Sequence, residues 1–317
     1  MGKFVRYLDR QLIDALKSTP LYNKLFADVK SGKVFPAIRN NSIAFYYKGS
    51  LLFKFDKNGF QTHYKFLIDN SYGKLGDGPY VVCNGERDGK VKPAGMIIDN
   101  FYDGYESIKQ TIGVYAKPEA LLTSGFYKRS FLSDEGSKSR YVLLDIEVAF
   151  EKPNNAVFEM RDENNEDPSS TGKKSRKKLD RIDAVLYDTK KYQIVFCEVK
   201  RFDDDRLSSI GGKDPEVILQ LGNYKTQIGV SEDSIVSSYN NAFKLYNELF
   251  GTQPLVVESV YDRAVLFVTG CDELLYKKGV EDSVKIITEK SECKAVFFKE
   301  AGPTALKMII QAAQAKN

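Results

Sequence analysis

The run LDRIDAVLYDTKKYQIVFCEVKRF, residues 179–202, holds two β-rich segments, 179–188 and 192–202, separated by the polar Thr189-Lys190-Lys191. That pattern predicts a hairpin. Side chains alternate along a strand, so Ile182, Ala184 and Leu186 share one face and Asp183, Val185 and Tyr187 the other. On the second strand Ile194 and Phe196 share the face of Glu198 and Lys200. Pairing brings Asp183 near Glu198 at the end of a buried apolar row, where a charge is costly unless it is paired or bound to a metal. Two carboxylates held together repel unless a divalent cation or a proton lies between them. Hard cations such as Mg²⁺ or Mn²⁺ suit such a pair, because they take oxygen ligands and need only one or two protein carboxylates. Lys200, on the same face, can orient or help deprotonate a water, or steady developing negative charge.

Downstream of the hairpin, Asp214 reads as an N-cap and Pro215 as the first residue of a helix over 215–228. Gln220 and Tyr224, at i and i+4, share one of its faces. Beyond it NNAFKLYNELFG reads as helix, RAVLFVTG as a buried strand, DELLYKKGVEDSVKIITEK as helix, CKAVFFKE as strand and TALKMIIQAAQAK as a terminal helix. Upstream, RYVLLDIEVAF (140–150) is a strand, preceded by helical stretches at 103–116 and 118–131. Residues 151–178, acidic and then basic with little to bury, read as a long mobile hairpin loop. Strands interleaved with helices give an α/β (α+β mixed) class, a central mixed sheet flanked by helices.

The first hundred residues read differently. Val5, Leu8, Leu12 and Leu16 form a helical stripe over 4–17, with Pro20 just beyond it. Residues 42–68 alternate aromatic and polar side chains around Lys48-Gly49 and Asn58-Gly59, which predicts a three-strand antiparallel meander with His63 on its last strand. Residues 70–100, rich in Gly, Asp, Asn and Pro, read as a junction. The division is therefore 1–100, a smaller N-terminal α+β module, and 101–317. The module is basic: residues 1–70 carry 12 Lys or Arg against 5 Asp or Glu, whereas the whole chain has a net charge of +4. Such a surface suits a phosphate-bearing partner.

Composition excludes several classes of chemistry. The 317 residues are 42% hydrophobic and 28% charged, ordinary for a globular protein. No apolar run approaches the roughly 18–20 residues of a membrane span, and the N-terminus lacks a signal-like apolar core, so a cytoplasmic location without membrane partners is expected. The four cysteines form no CxxC pair, which argues against structural zinc or a disulfide framework. A single histidine, His63, rules out any mechanism needing two imidazoles. Carboxylates and lysine must carry whatever chemistry there is.

Asp183, then Glu198-Val199-Lys200, then QLGNY (220–224) on a helix together resemble the PD-(D/E)xK nuclease superfamily, of restriction-endonuclease-like fold, and its RecB-type members with a QxxxY motif. The resemblance covers about residues 140–228. It implies that Asp183, Glu198 and the backbone carbonyl of Val199 bind metal, that Lys200 serves the water, and that Gln220 and Tyr224 position substrate or Lys200. It also implies a further upstream acid, for which Glu106 and Glu119 are candidates and Glu147, sharing a strand face with Asp145, is preferred. His63 lies too far from the core to replace the histidine of RecB-type enzymes, and the cysteines are too sparse for an iron–sulfur cluster. Asp203, Asp204 and Asp205 read as an exposed acidic turn rather than a second metal site. Lys173, Lys174, Arg176, Lys177 and Lys178 lead into the Asp183 strand and are placed to contact a nucleic-acid backbone. The expected function is a Mg²⁺- or Mn²⁺-dependent nuclease acting on nucleic acid, DNA in preference to RNA, with a homodimer or partner subunit through the N-terminal module left open. The alternative is a non-catalytic nucleic-acid-binding or assembly protein that retains the nuclease fold.

Overall fold

The computed structural model describes residues 4–68, 81–83, 97–98, 100–116, 118–150, 181–209, 212–270 and 280–315. The expected loop over 151–178, its five basic residues and most of the expected junction at 70–100 lie outside them. The class is mixed α/β, with two sheets and flanking helices.

Helix α1, Arg10–Lys17, is shorter than its apolar stripe suggests, because the Asp9 carboxylate accepts from the Leu12 N–H at 2.7 Å and starts the helix there. Residues before it are extended, and Tyr7 bridges to Asn40. Pro20 does not merely follow α1 but opens α2, Pro20–Lys30, at a position where its missing N–H costs nothing. The meander is larger than three strands: β1 (Val34–Arg39), β2 (Ser42–Tyr47), β3 (Ser50–Asp56), β4 (Gly59–Thr62) and β5 (Val81–Cys83) form a five-stranded sheet in sequence order. Pro36 sits in β1, the outer strand, where a missing ladder donor is tolerated. His63 follows β4 and caps a short 3₁₀ turn, its Nδ1 accepting from the Lys65 N–H at 3.1 Å.

After α3 (Tyr105–Tyr115) and α4 (Pro118–Ser124), the second sheet is built from β6 (Tyr141–Ala149), β7 (Arg181–Asp188), β8 (Gln193–Arg201), the short β9 (Ser259–Val260), β10 (Val265–Thr269) and β11 (Ala295–Phe298). Its order is β11-β10-β8-β7-β6, with β9 also on β8. β6, β7 and β8 are antiparallel, whereas β10 runs parallel to β8 and β11 parallel to β10. The expected hairpin is β7–β8, in the register Ala184↔Cys197 and Val185↔Phe196. Helices α6 (Val280–Ser291) and α7 (Pro303–Gln314) complete this half, and α7 buries Leu306, Ile309 and Ile310 against one face with Ala184, Leu186, Val195 and Cys197.

The other face is roofed by α5, Glu216–Phe250. The expected helix at 215–228 and the one at 240–251 are a single element of 35 residues, about 52 Å long at 1.5 Å per residue. Its polar middle stays helical because Ile228, Ser231, Ile235 and Tyr239 keep a buried stripe at spacings of three and four. The second half of α5 also meets the N-terminal elements. Tyr22 donates to Leu249 O, the Phe26 and Phe250 rings stack, and the Tyr246 hydroxyl lies 2.9 Å from the Ile38 N–H that donates to it. One apolar cluster accordingly runs from Phe4 and Leu25 through Phe243 to Phe196.

Asp145 binds four segments together. Its carboxylate is 1% exposed and accepts from Arg6 Nε at 3.0 Å, Arg39 Nη1 at 2.9 Å, the Tyr239 hydroxyl at 3.0 Å and its own neighbour Ile146 N–H at 2.8 Å. Burial works to raise its pKa, but Arg39 and Arg6 outweigh it and hold the carboxyl below its usual range. No helix among the described residues is long and apolar enough to cross a membrane.

Removing one partner of a buried ion cluster strands the others, at a cost of about 3–5 kcal/mol. Asp145→Ala should lower unfolding stability by that amount in a urea titration. Lys290→Ala, which breaks the exposed pair with Asp214, should leave the midpoint unmoved.

Candidate active site

β7 and β8 place Asp183, Glu198 and Lys200 on the sheet face that α5 covers, as the alternation of side chains predicts. Extending the Ala184↔Cys197 register by one residue sets Asp183 opposite Glu198. The Asp183 carboxylate accepts the Val199 N–H at 2.7 Å, and its Oδ2 lies 4.0 Å from Lys200 Nζ. Lys200 Nζ in turn contacts Glu198 Oε1 and lies 3.4 Å from the Val199 carbonyl oxygen. Glu198 is 1% exposed and Lys200 3%, while Asp183 retains 24%, so the site faces solvent on the Asp183 side.

From α5, Gln220 Nε2 donates to Glu198 Oε1 at 2.8 Å and to the Tyr224 hydroxyl at 2.7 Å. The Tyr224 phenol lies 2.7 Å from the Arg181 carbonyl and 3.1 Å from Glu198 Oε2. Val217 and Leu221 are buried beneath this pair, which fixes the helix face toward the strands. The i,i+4 spacing of Gln220 and Tyr224 thus lets one helical turn grip both oxygens of one carboxylate.

The electrostatics follow from burial. Glu198 is pushed up to about 8, first by burial and then by the Asp183 charge, with Lys200 and Tyr224 opposing. Lys200 is held charged: burial acts against its ammonium, but Asp183 and Glu198 outweigh it and raise its pKa. Burial, then the charges of Glu198 and Asp183, keep the Tyr224 phenol protonated. The phenol's one proton is shared between two acceptors, the Arg181 carbonyl oxygen and Glu198 Oε2.

Glu147 sits on β6 at the position that the Ile146↔Ala184 and Val148↔Ile182 register sets opposite Asp183. Its backbone is in the left-handed region, φ 50°, and its carboxylate is 3.8 Å from Arg181 Nη1. Among the described residues no group of three or more His, Cys, Asp or Glu side chains is placed to hold a metal ion. Glu106 pairs with Lys109 at 2.9 Å, away from the site, and the Glu119 side chain lies outside the described residues. Asp203 and Asp204 are each taken by an arginine, Arg201 and Arg206, at 2.7 and 2.5 Å. Asp203 and Asp205 are exposed, as expected, whereas the Asp204 side chain is largely covered and caps the short turn that follows it. Sequence reasoning missed the Arg181 carbonyl, which anchors Tyr224 through backbone that no side-chain pattern marks.

The donor set fits a hard divalent cation: two carboxylates and a carbonyl, all oxygen, are drawn together with one edge open. It also fits a closed ion-pair cluster, because Lys200 already stands among those oxygens.

A carboxyl whose pKa is raised by folding contributes stability that is complete below its ordinary 4.5 and lost as the pH climbs through about 8. Glutamine stays neutral and loses nothing. In EDTA, the melting temperature of Glu198→Gln relative to wild type should therefore rise between about pH 5 and pH 8; a difference that does not change with pH would show that Glu198 is ionised throughout.

Comparison of the chain with protein-family models, with curated proteins and with solved structures finds no match in any of the three.

Proposed function

We propose that this protein is a divalent-cation-dependent nuclease of the PD-(D/E)xK kind, with a restriction-endonuclease-like arrangement around β7 and β8. The observation that carries the reading is the convergence of Asp183, Glu198, Lys200, Gln220 and Tyr224 on one sheet face, two strands and one helix each supplying the residue type that phosphodiester hydrolysis needs.

In this reading Asp183, Glu198 and the Val199 carbonyl hold Mg²⁺ or Mn²⁺, which when bound supplies Lewis acidity and lowers the pKa of water. The protein's own residues do the rest. Asp183 is held in place by the Val199 N–H. Gln220 and Tyr224 fix the rotamer of Glu198, so that its carboxylate is oriented before substrate arrives. Lys200 aligns the attacking water or meets negative charge as it develops on the phosphoryl oxygens. The basic N-terminal module and Lys173, Lys174, Arg176, Lys177 and Lys178 supply sequence-independent attraction for the backbone, with DNA the favoured substrate.

One observation favours a second reading. Both oxygens of Glu198 already have partners and Lys200 is nearly sealed from solvent, so the cluster is satisfied without a metal. A nucleic-acid-binding or assembly protein that keeps this fold without cleavage has the same geometry.

Incubating purified protein with single-stranded and duplex DNA and RNA in Mg²⁺, Mn²⁺ or EDTA separates the two. Metal-dependent cleavage is expected, falling by about a hundredfold or more in Asp183→Asn while the circular dichroism stays native. Binding that persists in EDTA with no hydrolysis in either metal would establish the non-cleaving alternative.

A further inference from the structure

We propose that Lys200 is the resident counter-ion of this site and that a divalent cation enters only by displacing it, so that the lysine sets how tightly metal is held. The inference rests on the functional reading above and adds a control on metal occupancy to it.

The geometry is specific to one atom. Lys200 Nζ contacts Glu198 Oε1, lies 3.4 Å from the Val199 carbonyl oxygen and 4.0 Å from Asp183 Oδ2. Those are the three oxygens assigned to the metal. An ion bonded to oxygen sits about 2.0–2.6 Å from each ligand, so an ion shared by these three falls in the space the ammonium fills. Charge reinforces the overlap: a +1 group within a few ångströms of a +2 ion, in a site sealed from most water, repels it strongly. Oxygen lone pairs do the same, since Glu198 Oε1 already accepts from both Lys200 and Gln220.

The displacement is local. Lys200 reaches the cluster on a flexible four-carbon stem from the same strand as Glu198, and rotating that stem toward the more open Asp183 side vacates the space without moving a strand. Gln220 and Tyr224 hold Glu198 from α5 meanwhile, so the carboxylate keeps its place as its counter-ion changes.

The test is a calorimetric titration of Mn²⁺ into wild type, Lys200→Met and Lys200→Arg without nucleic acid. Lys200→Met should bind Mn²⁺ about tenfold or more tightly than wild type, because the competing charge is gone. Lys200→Arg, which keeps a cation, should show no such gain. Wild-type binding that is unchanged or weakened in Lys200→Met overturns the competition and leaves the metal reading standing. Absence of binding in all three proteins removes both. If Lys200→Met does not fold, the wild type decides: Lys200 should be protected from amine acetylation in EDTA and become modified in saturating Mg²⁺, read by peptide mass spectrometry, and unchanged protection with Mg²⁺ bound overturns the inference.

Discussion

A carboxylate taken out of water must be met by a cation or keep its proton, and this fold answers that constraint twice on one sheet. On β6, Asp145 is met by two arginines and a phenol from three other segments and by the backbone N–H of its own neighbour Ile146. On β8, Glu198 is met by a lysine two residues along its own strand, with help from one turn of α5. The first solution is over-determined and static. The second depends on one flexible side chain and on a carboxyl whose proton is held into the neutral range, so it is the one that can exchange partners.

Helix α5 is common to both. Tyr224 and Tyr239 each point a phenol at a buried carboxylate, 15 residues and so about 22 Å apart along one rod. The first half of the helix sets Gln220 and Tyr224 over the candidate site, and the second half engages α2 and β1. The N-terminal elements and the site are therefore held by the same continuous backbone.

Much of the site was legible because its signals are local. A period of two puts Glu198 and Lys200 at the end of a buried row, and an i,i+4 spacing puts Gln220 beside Tyr224. The mixed sheet followed from the alternation of strands and helices. What escaped depends on distance or on backbone. Arg6 and Arg39 meet Asp145 across 139 and 106 residues, and nothing in their surroundings announces it. The strand β1 was hidden by Pro36, tolerable only because that strand is outermost, and α2 by a proline that marks a helix start as readily as a stop. The polar middle of α5 looked like a break because Glu232 and Asp233 fill its outward face and the polar Ser231 carries its buried stripe between Ile228 and Ile235.

Arg39 also acts on main chain. Its Nη2 reaches the Ile146 carbonyl at 2.6 Å, and the Phe131 N–H reaches the Leu143 carbonyl at 3.2 Å, both on β6, the last strand of its sheet. A terminal strand with free carbonyls is a template for another chain to zip onto. Here two of those acceptors are already capped from within, so growth of the sheet by intermolecular pairing is obstructed on the β6 margin by the Phe131 backbone and by the same guanidinium that neutralises Asp145.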